Sequence, residues 1–135
     1  VAAVNTISLK LVELAPLSYF TATSILFAAY PQTLANPAYS PWGVLDTRQW
    51  AAIIAAFVVC HAAALWWNGR NRIASRVARA TALLGYLWVS LTFGGMFVAA
   101  GIPWGAVLFW LLMPMLCGAL FLRIVNEAKL LYRGW

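Results

Sequence analysis

Three stretches of the chain carry no charge, and their lengths decide the fold class. Leu14 to Leu45 is uncharged over 32 residues, Gln49 to Gly69 over 21, and Ala80 to Leu122 over 43. A helix crossing the hydrocarbon of a bilayer needs about 20 predominantly apolar residues. The middle run fits one crossing. The last run fits two if it turns, and Gly101-Ile102-Pro103-Trp104-Gly105 supplies Gly and Pro where one helix should end and the next begin. In the first run, the segment Pro31 to Leu45 holds three prolines, Asn36 and Gly43 and reads as a loop. Composition closes off the alternatives. Charged residues make up 9 % of the 135, against about 25 % in soluble domains. Two cysteines cannot build the framework of a small disulfide-held domain.

The expected fold is therefore an all-α integral membrane protein of four transmembrane helices. The spans are expected near 14–33, 49–69, 77–99 and 105–125, in a single transmembrane domain covering residues 1–135. A loop over 34–48, a basic loop over 70–76 and a C-terminal tail over 126–135 complete the chain. Three spans, with the first helix lying in the interface, is the competing arrangement. Residues 1–13 are weakly patterned and suit a short surface helix. Pro16 and several hydroxyl side chains interrupt the first apolar stretch, so a cleaved leader is not expected. Pro114 falls inside the fourth span and is expected to kink it. Beyond Leu122, Ile124, Ala128, Leu131 and Trp135 recur at helical spacing among Arg123, Glu127, Lys129 and Arg133, which predicts an amphipathic extension.

Basic residues give an orientation. Arg70, Arg72, Arg76 and Arg79 cluster between the second and third spans, and Arg123, Lys129 and Arg133 lie in the tail. The connection near Asp46 and Arg48 is almost neutral, and the 101–105 turn is uncharged. Positive loops stay on the cytoplasmic side. With four spans, both termini and the arginine loop share that side, as expected of a protein in a bacterial inner membrane. Arg72, Arg76 and Arg79 repeat at helical spacing, and all four arginines are assigned to lipid headgroups and topology. The net charge of +6 has the same explanation, and no nucleic-acid partner is expected. Trp42, Trp50 and Trp104 fall at the outer interface and Trp66 and Trp67 at the inner one, whereas Trp88 and Trp110 lie inside spans.

Two stripes of small residues predict helix packing. Ala52, Ala55, Ala56, Val59, Ala62 and Ala63 run along the second span; Ser90, Gly94, Gly95 and Ala99 run along the third. Small side chains let helix backbones approach in a membrane. The stripes are expected to face one another or a neighbouring subunit. Thr21, Thr23 and Ser24 in the first span can bond back to the preceding turn; a polar pore lining is the other reading. Asp46 or Thr47 is the expected cap of the second helix.

His61 stands out as an ionisable side chain well inside a span, and such residues are functional candidates. It could ligate a haem, a pigment or a metal, pass protons, or simply bond a neighbouring helix. Which cofactor, if any, is left unknown by the sequence. Cys60 and Cys117 form no metal pattern. No catalytic acid pair, Ser–His–acid set or phosphate loop is present, so no catalytic or metal residues are assigned and no enzyme activity is expected. Three function classes follow. The first is an accessory or structural subunit that packs on other transmembrane subunits or on itself. The second is a self-assembling pore former, similar in architecture to holins. The third is a cofactor-carrying subunit that uses His61. The first is the preferred expectation.

Overall fold

A computed structural model describes the backbone of residues 2–33, 45–67, 72–101 and 111–132, and the side chains of 11–33, 45–67, 72–101 and 111–127. Helix α1 runs Ala2–Ala29, α2 Thr47–Trp67, α3 Arg72–Ala99 and α4 Met113–Tyr132, with no strand among the described residues. Three of them contain stretches long and apolar enough to cross a membrane: Leu11–Ala29, Thr47–Trp67 and Arg72–Ala99. The chain is a small, all-helical, multi-span membrane protein. Residues 34–44 of the expected loop, Arg70, residues 102–110, Trp42, Trp104, Trp110 and Trp135 lie outside the described residues.

Helix ends follow local chemistry. α1 does not break at residue 13; it is continuous from Ala2, and the expected surface helix and first span are one element. Pro16 lies inside it, removing one backbone donor. Asp46 caps α2 reciprocally. Its Oδ1 accepts from the Gln49 N–H at 2.8 Å, and Gln49 Oε1 accepts from the Asp46 N–H at 2.9 Å. This exchange satisfies two otherwise orphaned donors. α3 ends at Gly101, whose φ of 71° only glycine adopts cheaply. Pro114 is the second residue of α4 and follows directly on a π-type turn at 111–112; the expected start of the fourth span at 105 lies outside the described residues.

α3 is the central helix. Half of its apolar window is buried, against 28 % for α1 and α2. α1 and α2 are antiparallel, since Ser24 Oγ donates to the Ala51 carbonyl at 2.9 Å while Glu13 meets His61. α2 and α3 are antiparallel too: Ser75 Oγ donates to the Ala64 carbonyl at 2.8 Å, and Trp50 packs on Phe93. α1 and α3 consequently run parallel, and their side chains meet in rungs at steps of seven. Glu13 pairs with Arg79, Phe20 stacks on Tyr86 with centroids 4.4 Å apart, and Phe27 packs on Phe93 at 5.3 Å. A seven-residue step keeps one seam of each helix facing its neighbour. α4 buries Cys117, Leu120 and Ile124 in the same core.

One tryptophan departs from the interfacial expectation: Trp50 is buried against Phe93 and Trp88, with its indole N–H unpaired, whereas Trp66 is on the outer surface near the end of α2, 91 % exposed. Ser90 Oγ is a second buried polar atom without a partner. A tight contact between α2 and α3 was not singled out by the small-residue pattern: at Gly85 an added Cβ would lie 2.5 Å from the Phe57 ring. Overpacking of that kind costs about 1–3 kcal/mol. Gly85→Ala is therefore expected to destabilise the bundle by that amount in thermal unfolding in mild detergent. Phe57→Leu should relieve much of it, and strictly additive effects of the two changes would contradict the contact.

Candidate functional site, a buried Glu–His–Arg–Tyr cluster

The first rung of the bundle is polar. Glu13 comes from α1, His61 from α2, and Arg79 and Tyr86 from α3; Glu13 is 2 % exposed, His61 0 % and Arg79 7 %. Seven residues of α3 separate Arg79 from the helix start at Arg72, which places the cluster about 10 Å into the bundle. Pro16, Phe20 and Leu83 are also fully buried and belong to the helices that enclose it.

Glu13 receives every bond an ionised carboxylate could want from this neighbourhood. Arg79 grips it with both arms of its guanidinium: Nε donates to Oε2 at 2.8 Å and Nη2 donates to Oε1. Such two-pronged pairs are among the stronger hydrogen-bonded ion pairs. His61 Nε2 is 3.0 Å from the same Oε2. An ionised carboxylate only accepts, so Nε2 carries the hydrogen. In a neutral ring Nδ1 is then bare, and the Tyr86 hydroxyl, 3.3 Å away, donates to it. The cluster is electrically neutral in this state, with one carboxylate, one guanidinium and an uncharged ring. Cys60 Sγ lies 3.7 Å from the Ala78 carbonyl on one flank, binding α2 to α3 just beside the ring.

Several sequence assignments change place. Arg79 is not a lipid-facing residue: a guanidinium of this burial, with a carboxylate across its fork, serves the bundle interior. Arg72 is exposed and Arg76 half-buried, and Arg70 lies outside the described residues. The two small-residue stripes do not face each other. Ala52, Ala56, Val59, Ala62 and Ala63 are exposed on the outer surface of α2 and Ala55 is half-buried, whereas Ser90 and Gly94 are buried, Gly95 is half-buried and Ala99 is exposed. His61 lies inside the fold, with both ring nitrogens engaged. A metal or macrocycle could reach it only by displacing Glu13 or Tyr86. Among the described residues no three His, Cys, Asp or Glu side chains are grouped to hold a metal ion.

Glu13, Tyr86 and the inward role of Arg79 were missed in the sequence. A signal existed: positions 13, 20 and 27 read Glu, Phe, Phe and positions 79, 86 and 93 read Arg, Tyr, Phe. Two heptad seams that each open on a charge and continue in aromatics have complementary charges at the same level. Comparison with protein-family models, with curated proteins and with solved structures finds no match for this chain.

Removing one partner of a buried ion pair strands the other and costs about 3–5 kcal/mol. Glu13→Leu and Arg79→Met are each expected to lower stability on that scale in reversible unfolding in mixed micelles. The double replacement should cost less than either single one, because no lone charge remains. A double variant as unstable as the sum of the singles would refute the pairing.

Proposed function

We propose that this protein is a non-enzymatic subunit of a larger membrane assembly, acting by helix–helix packing. The observation that carries this reading is the outer face of α2. Ala52, Ala56, Val59 and Ala63 stand there at steps of four, three and four, all exposed, with Val59 at 66 %. Lipid accepts large side chains on such a face. A close helix neighbour needs small ones. The neighbour is another transmembrane subunit or a second copy of this chain.

Two observations weigh against the other classes. The first-span hydroxyls suggested for a pore lining are already engaged: Thr21 Oγ1 donates to the Leu17 carbonyl at 2.7 Å, Thr23 Oγ1 to Tyr19 at 2.9 Å, and Ser24 reaches Ala51. The bonds of His61 to Glu13 and Tyr86 leave no nitrogen open to a cofactor. In the orientation we favour, the start of α1 and the α2–α3 connection lie together at the basic end of the bundle, on the cytoplasmic side of a bacterial inner membrane. Arg72 and Arg76 then meet anionic headgroups.

The test is the native mass of the protein extracted in mild detergent from its own membrane, with its partners identified and the visible spectrum recorded. Other subunits or further copies at a fixed ratio are expected, without a visible band. Ala56→Leu with Ala63→Leu should reduce that association at least about tenfold while leaving the unfolding transition of the isolated chain unchanged. Undiminished association would remove α2 as the contact, and a haem or pigment band would favour the cofactor reading.

A further inference from the structure

The ion pair between Glu13 and Arg79 is complete without His61. Both carboxylate oxygens and two guanidinium nitrogens already meet. The ring adds to this closed pair a titratable group, placed against the carboxylate and capped on its far side by a hydroxyl that can reverse its role. We propose that the cluster is a proton-binding site. His61 takes up one proton at Nδ1, Glu13 serves as its counter-ion, and Tyr86 turns from donor to acceptor.

The geometry sets out the change step by step. Glu13 is held ionised by the Arg79 fork, so His61 Nε2 keeps its hydrogen as the donor to Oε2. Only the Nδ1 lone pair is open to a further proton, and its hydrogen-bond partner among the described residues is the Tyr86 hydroxyl. A phenol both gives and accepts. When a proton from water binds Nδ1, the hydroxyl hydrogen rotates away and its oxygen accepts from the new N–H. The proton comes from hydronium, which is left as water; no bond within the protein breaks, and no heavy atom needs to move. The cluster passes from net charge zero to plus one. The imidazolium then donates from both nitrogens, one of them to a carboxylate in contact.

The groups around the ring are the ones that govern its charge. Glu13 faces it from α1, Cys60 adjoins it on α2, and Arg79 and Tyr86 approach from α3. From α4, Cys117 is close enough to Tyr86 to interact electrostatically with it. Arg79 opposes a second positive charge and neutralises the carboxylate that would welcome it. The end of the bundle nearest the cluster is the basic one, and the Arg79 side chain, 8 % exposed, is its least covered member. Beyond Tyr86 the described rungs are Phe27, Phe93, Trp50 and Met96, all apolar.

The chain has a single histidine, so nitrogen-15 labelling of histidine reports on this site alone. The full chain in lipid nanodiscs is followed by NMR between about pH 8 and about pH 5, the range in which imidazoles change charge. The expected result is a neutral ring protonated on Nε2 at the alkaline end, converting reversibly to a ring protonated on both nitrogens. In Arg79→Gln, the doubly protonated ring should reach the same population at about tenfold lower proton concentration, because the Glu13 charge then falls to His61 alone. Tyr86→Phe keeps the ion pair intact and removes the acceptor of the new Nδ1–H, a charge-assisted bond stronger than the one the neutral ring receives. It should shift the conversion to higher proton concentration, opposite to Arg79→Gln, and it supplies the test if Arg79→Gln does not fold. A ring that keeps one proton throughout the range overturns the proposal. So does a neutral ring protonated on Nδ1, or a conversion that coincides in native protein and Tyr86→Phe.

Discussion

The bundle depends on one carboxylate. Glu13 collects donors from two other helices, and among the described residues it is the carboxylate that ties α1 to both α2 and α3. In water a carboxylate among charged partners has a ready substitute in solvent. Buried among the helices, 2 % exposed, it has none. Every arrangement of the three helices that separates Glu13 from Arg79 leaves an unpaired charge in an apolar medium. Apolar packing between lipid-embedded helices carries little directional information, because lipid tails are as apolar as the side chains they replace. The polar rung supplies what packing lacks, a register and an orientation.

The lower rungs follow from the first. Once Glu13 and Arg79 are level, steps of seven bring Phe20 to Tyr86 and Phe27 to Phe93, and the parallel run of α1 and α3 is fixed along its length. α2 enters antiparallel, with His61 at the polar rung and Trp50 at the far one. Between them Phe57 lies against Gly85, where the absence of a side chain on α3 makes room for a ring from α2. Tyr86 belongs to two layers at once. Its ring stacks on Phe20 with planes 2° apart, and its hydroxyl meets His61. The aromatic core therefore orients the hydroxyl that the polar layer uses.

Much of this was legible in the sequence because membrane insertion imposes crude, length-based rules. The uncharged runs located three helices to within a few residues at most of their ends. Asp46 announced its cap, and the hydroxyls of Thr21 and Thr23 bonded back one turn as their position implied. Other features were hidden because they are relations between distant residues. Arg79 looks like Arg72 and Arg76 when read along its own helix; only the carboxylate on α1, 66 positions away, turns it inward. The small-residue stripe on α2 is visible in one dimension, but which side of the helix faces the fold is decided by where Trp50, Ile54 and His61 are buried. Gly85 stood outside both stripes, and what leaves no room for a side chain there is Phe57, on another helix.

The distribution of residue sizes on α2 connects the inside of the fold to its outside. The inward face carries Trp50, Ile54 and His61, with Phe57 half-buried beside them; the outward face carries Ala52, Ala56, Val59 and Ala63 before the exposed Trp66. A helix whose outer surface met only lipid would be under no steric demand there, since acyl chains conform to whatever shape they meet. Small side chains in register on that surface produce a shallow, straight channel along the helix, and a rigid partner fills such a channel more completely than lipid does. The same helix carries His61 one face over, so a neighbour seated on the outer seam would press on the element that holds the ring against Glu13 and Tyr86.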